Sequence, residues 1–95
     1  MQVTNEEREL VFEIAQGNPN LIRFIGHMRV ISQDAKQVGY MDILRYMKRQ
    51  HLKGDSLVEW ITEKHQGSLL NAIATLRQKA YSDFKVRKIF AKRII

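Results

Sequence analysis

The sequence predicts an all-α protein, a compact bundle of about five to six short helices, on three observations. Residues that start and stop helices recur roughly every ten to fifteen positions. Between them, apolar residues return with the helical period of three and four. No Asn-Gly or Asp-Gly turn joins alternating segments, and the single proline, Pro19, stands where a helix tolerates it.

Taken in order, Thr4 and Glu7 have capping-box spacing. Leu10, Val11 and Ile14 give a first helix its inner stripe, and Gly17 closes it. Asn18-Pro19 restarts the chain: Asn caps free N–H groups, and proline at the first helical position gives up an N–H that lacks a partner there. Leu21, Phe24, Ile25, Met28 and Ile31 then form one continuous face. The polar stretch from Ser32 to Gly39 holds a turn. A third helix is expected from Tyr40 to Lys53, with Tyr40, Ile43, Leu44 and Met47 inward, and Gly54 stopping it. Ser56 and Glu59 repeat the capping-box spacing for a fourth helix that buries Leu57, Trp60 and Ile61. Gln66-Gly67-Ser68 breaks it, and Leu69, Ala72, Ile73, Leu76 and Ala80 line a fifth. Beyond Ser82-Asp83, Val86, Ile89, Phe90 and Ile94 share one helical face, with Lys85, Lys88 and Lys92 on the opposite one. Residues 1–81 therefore read as a helical core, and 82–95 as a basic amphipathic C-terminal helix or tail of the same domain.

At 44% hydrophobic and 27% charged, the chain is globular in composition, and its 95 residues suffice for one modest core. It has no cysteine, which removes disulfides, thiolate metal sites and a cysteine nucleophile. With no basic and apolar leader at its start and no long apolar run, the expected location is the cytoplasm, without a membrane span. The net charge of +6 is segregated. Residues 1–76 balance, whereas the last nineteen carry Arg77, Lys79, Lys85, Arg87, Lys88, Lys92 and Arg93 against Asp83 alone. A second basic cluster, Arg45, Lys48, Arg49 and Lys53, has no acid within it. Such asymmetry points to anionic partners.

Catalysis finds no signature. His27, His51 and His65 fall on three different helices without ligand spacing, and the carboxylates scatter over outer faces. The glycines punctuate helices, apart from Gly26 inside the second, and form neither a P-loop nor a dinucleotide fingerprint. No catalytic residue, metal site or cofactor is expected. Two helices joined at Gln66-Gly67-Ser68 admit a helix-turn-helix, with Ser68, Asn71, Thr75 and Gln78 reading bases and Arg77 and Lys79 on phosphates. Glu63, four residues before Gly67, departs from that pattern, because a small residue is expected there. Independently of it, Arg45, Lys48, Arg49 and Lys53, together with Lys85, Lys88, Lys92 and Arg93, form an electrostatic footprint for nucleic acid or another anionic partner. The competing reading is a solvated face and a frayed basic end. The tail's Phe84, Val86, Ile89, Phe90, Ile94 and Ile95 also fit docking on a protein partner or homodimerisation, and less well resting on an anionic membrane surface, because Arg93 interrupts the apolar face. Trp60 and the tyrosines read as core rather than stacking platforms.

Gly17-Asn18-Pro19 before an apolar helix, Gly54-Asp55-Ser56-Leu57 with Trp60 shortly after, and Asn71-Ala72-Ile73 together resemble small helical proteins of unknown function encoded in phages and prophages of Gram-positive bacteria. Those proteins often open with Gly-Asn-Pro-Gly, where this chain has Asn20. The resemblance covers about residues 17–75 and leaves the basic tail outside. It transfers no functional residue. It implies a phage-encoded accessory protein working in a bacterial cytoplasm. The expected function is a small non-enzymatic binding protein that engages nucleic acid through basic helices. The alternative is a protein–protein interaction module, such as a modulator of a host protein or an assembly component.

Overall fold

The computed structural model describes residues 4–33 and 38–94, with side chains as far as Ala91. Within them the chain forms five helices and no strand: α1 (Asn5–Ala15), α2 (Pro19–Ile31), α3 (Tyr40–Arg49), α4 (Gly54–His65) and α5 (Leu69–Ile94). The all-α expectation holds. Part of the expected turn, residues 34–37, lies outside the described residues.

Local chemistry sets the first two boundaries as expected. The Glu7 N–H donates to Thr4 Oγ1 at 3.1 Å, and the Asn20 N–H donates to Asn18 Oδ1 at 2.9 Å. The third and fourth helices meet differently from the prediction. α3 ends at Arg49, four residues early, because His51 turns left-handed (φ 56°) and the Leu52 N–H bonds back to the Met47 carbonyl at 2.9 Å. Lys53 becomes the N-cap of α4. Ser56, expected as the cap itself, sits at the third helical position and accepts the Lys53 N–H at 3.1 Å. Gly54 opens α4 rather than closing α3. Its φ of +53° is left-handed, the conformation glycine adopts without penalty.

The largest departure is α5. The fifth helix, expected to be lined by Leu69 to Ala80, and the amphipathic segment expected beyond Ser82-Asp83 form one continuous helix of 26 residues that runs to Ile94. Neither glycine nor proline interrupts residues 69–94, and a mid-helix Ser or Asp costs only tenths of a kcal/mol, on the order of 0.5 each. Lysines and arginines near its end also favour the negative pole of the helix dipole. Twenty-six residues make a rod of about 39 Å, close to the 44 Å long axis of the molecule.

α1 packs against α2, α3 and α4, while α5 packs against α3 and α4. The core takes Leu10, Ile14, Leu21, Phe24, Ile25, Met28, Ile43, Leu44, Met47, Leu57, Ile61, Ala72, Ile73, Leu76 and Ala80, all buried. Ile31, assigned to the inner face of α2, is instead 37% exposed, because the helix turns its last residue off the core. Trp60 is half-buried against the core, edge-on to His65 with ring centres 4.3 Å apart. One carboxylate does not lie on an outer face as expected. Glu7 is buried and pairs with Arg29 at 3.2 Å. Beside it, burial and the Glu7 carboxylate hold the Tyr40 phenol well above its ordinary range.

Candidate nucleic-acid interface

The two basic segments meet opposite fates in three dimensions. On α3 and at the cap of α4, every cation of the first cluster has a carboxylate. Arg45 donates to Glu6 through Nε at 3.1 Å and Nη2 at 2.6 Å, and to Asp42 through Nη1 at 3.3 Å. Lys48 and Lys53 converge on the two oxygens of Glu13, each at 3.5 Å. Arg49 Nη2 lies 2.6 Å from Asp83 Oδ2 on α5. Glu6 and Glu13 reach this row because they stand two helical turns apart on α1, which lies along α3. The hydrogen bond from Arg45 holds the Glu6 carboxyl below its ordinary range and raises the guanidinium. A cluster without an acid in sequence is therefore neutralised in space, and its four cations are mostly committed to internal ties.

α5 keeps its charge. Arg77, Lys79, Lys85, Arg87 and Lys88 are all exposed, and none has an ion-pair partner among the described residues. At about 100° per residue, Arg77, Lys85, Arg87 and Lys88 fall within one arc of about 160°, while Lys79 falls on the other side. Aromatic rings interleave with this arc. Lys85 Nζ stands 4.9 Å over the Tyr81 ring, and Lys88 Nζ 6.0 Å over Phe84, which supports the long side chains on aromatic faces. The side chains of Lys92 and Arg93, both expected contacts, lie outside the described residues.

The opposite arc is apolar and open, with Val86, Ile89 and Phe90 exposed at 50%, 53% and 58%. Every residue from Phe84 to Ala91 is exposed, so the far half of α5 presents both a basic and an apolar face to solvent.

The base-reading set divides. Asn71 and Gln78 are exposed on one side of α5, whereas Thr75 is half-buried and Ser68 Oγ accepts the Asn71 N–H at 3.3 Å as a helix cap. α4 and α5 do have the short connection of a helix-turn-helix, residues 66–68. However, Asp55, Glu59 and Glu63 make an exposed acidic row along α4 at i, i+4 and i+8. Phosphates repel that row, which disfavours laying α4 across a duplex backbone.

Two concavities flank these elements. Between α3 and α5 runs a cleft of about 550 Å³, walled by Asp42, Arg45, Arg49, Asp83, Arg87 and Lys88 over Ala80 and Phe84. Between α1 and α2 lies an apolar groove of about 430 Å³ beside Phe12, which is 80% exposed. Among the described residues, no group of three or more His, Asp or Glu side chains converges as metal ligands do. No described helix is long and apolar enough to cross a membrane.

Arg87 was not among the sequence-predicted contacts. Its signal was present, four residues after Asp83 and seven after Ala80, but the role of that helical side depends on where α3 lies. Compared with models of protein families, with curated proteins and with solved structures, the chain matches none.

Proposed function

We propose that this protein is a non-enzymatic binding module that engages nucleic acid through α5, with Arg77, Lys85, Arg87 and Lys88 contacting phosphates. The observation that carries this reading is the contrast between the two basic segments. Arg45, Lys48, Arg49 and Lys53 are held by carboxylates, and the α5 cations, exposed on a helix that outruns the core, are not. Phosphates are the polyanion such a spaced row suits, and contacts of this kind give affinity with little sequence preference. The setting that fits is a bacterial cytoplasm, with the chain as a phage-encoded accessory or regulatory factor. Titration of fluorescein-labelled duplex DNA and single-stranded RNA, followed by anisotropy, tests the reading. Binding at low salt that weakens steeply as salt rises supports it, and no binding to either strand type at low salt ends it.

A second reading has its own observation. Val86, Ile89 and Phe90 leave an apolar face uncovered, as on helices that dock into protein grooves. Exchanging Ile89 and Phe90 for serine separates the two: nucleic-acid affinity persists under the first reading, and a protein partner is lost under the second.

A further inference from the structure

The cleft between α3 and α5 has features that the open face of α5 lacks. Four cations wall it against two carboxylates, over an apolar floor formed by Ala80 and Phe84. The cations differ in what they have left to give. Arg45 is the most engaged, with Nε, Nη1 and Nη2 all donating to Glu6 and Asp42. Arg49 has only one such bond, Nη2 to Asp83 at 2.6 Å. A guanidinium carries five N–H donors in a rigid fork, so this single tie orients Arg49 while its other edge stays open. Arg87, one helical turn beyond Asp83 along α5, has no ion-pair partner among the described residues. Lys88 stands on the same rim, over Phe84. Donors from two different helices thus meet at one concavity.

We infer that this cleft seats one phosphate group of the bound strand, gripped by the open edge of Arg49, by Arg87 and by Lys88, with Asp83 as the residue that positions Arg49. The inference rests on the nucleic-acid reading and deepens it. It makes the contacts unequal: Arg87 holds a phosphate in a recess floored by Ala80 and Phe84, whereas Lys79, on the far side of α5, reaches at most a solvated one. Hydrogen bonds to charged groups are worth about 1.5–3 kcal/mol, which is roughly a 10- to 150-fold change in affinity.

The test uses the full chain. Duplex affinity is measured for Arg87→Gln, Lys88→Gln and the control Lys79→Gln, with Arg49→Lys as a variant that keeps charge but loses the fork. Arginine Nε–Hε resonances are followed in parallel as duplex, and separately inorganic phosphate, is added. The expected result is a loss of about tenfold or more for Arg87→Gln, against about threefold or less for Lys79→Gln. Arg49→Lys weakens binding while the melting temperature stays near that of the parent, and the Arg49 and Arg87 resonances shift with duplex. Should the duplex bind while Arg87→Gln loses no more than Lys79→Gln, the cleft is overturned and the nucleic-acid reading stands. If inorganic phosphate shifts Arg49 and Arg87 but duplex does not, the cleft serves a small anion and the strand assignment is wrong. Should the duplex not bind at all, both readings fall together.

Discussion

Replacing Arg77 and Lys85 together by glutamine should flatten the salt dependence of duplex binding by a calculable amount. Arg77, Lys85, Arg87 and Lys88 share one arc of α5 and have no carboxylate among the described residues. Because Arg87 and Lys88 share the phosphate of the cleft, these cations make three duplex phosphate contacts, which give a slope of log affinity against log salt of about −2.7, or roughly a 40-fold loss between about 50 and 200 mM salt. Removing two of them leaves a slope of about −0.9, and the same change in salt then costs roughly 3.5-fold. The lysines on Glu13 supply the control. Lys48 and Lys53 both lie 3.5 Å from Glu13, so Lys48→Gln should leave the slope where it was. Anisotropy of a labelled duplex at several salt concentrations reads all three proteins, and far-UV circular dichroism confirms that their helices are intact. An unchanged slope in the double variant, or an equal flattening by Lys48→Gln, would show that the sorting of cations by their ion pairs is wrong.

The remaining predictions concern the scaffold. Gly26→Ala should stabilise the protein by about 1 kcal/mol in urea denaturation, because Gly26 lies inside α2 where an added Cβ meets open space. Gly54→Ala should do the opposite, costing about 1–2 kcal/mol: the Gln16 side-chain amide it would meet can swing away, but the left-handed φ of +53° remains. Phe24→Ala should cost about 3–5 kcal/mol in the same assay, since Phe24 is fully buried, and that is a large share of the roughly 5–15 kcal/mol of a typical domain. The tie between Glu6 and Arg45 sets a pH dependence. Arg45 holds the Glu6 carboxyl below its ordinary range, so its contribution is complete above that range and fades as pH falls through the lowered value. Thermal melts of Glu6→Gln and the parent protein should differ at neutral pH and converge in acid; a constant gap would contradict the linkage.

The helices themselves were legible because their signals are local. Thr4, Asn18 and Pro19 act on backbone groups two or three residues away, and the core positions Leu21, Phe24, Ile25 and Met28 follow from helical period alone. The misread places have local signals with two outcomes. Gly54 suits either the end of one helix or the left-handed start of another. His51 turning left-handed decides between them, and nothing in a histidine announces that turn. Past Ser82-Asp83 the sequence left helix or tail open, and the helix continues there with its aspartate on an arginine of α3.

Fold class, core stripe and the concentration of positive charge in the last nineteen residues were determined by the sequence alone, because periodicity, capping and net charge are properties of neighbours along the chain. Only the tertiary structure decided which charges remain available. Arg45 and Glu6 are 39 positions apart, and Lys53 and Glu13 are 40 apart. Ion pairing acts over a few ångströms of space rather than along the chain, so the packing of α1 and α5 against α3 neutralised one basic cluster, and the reach of α5 past the core left the other exposed.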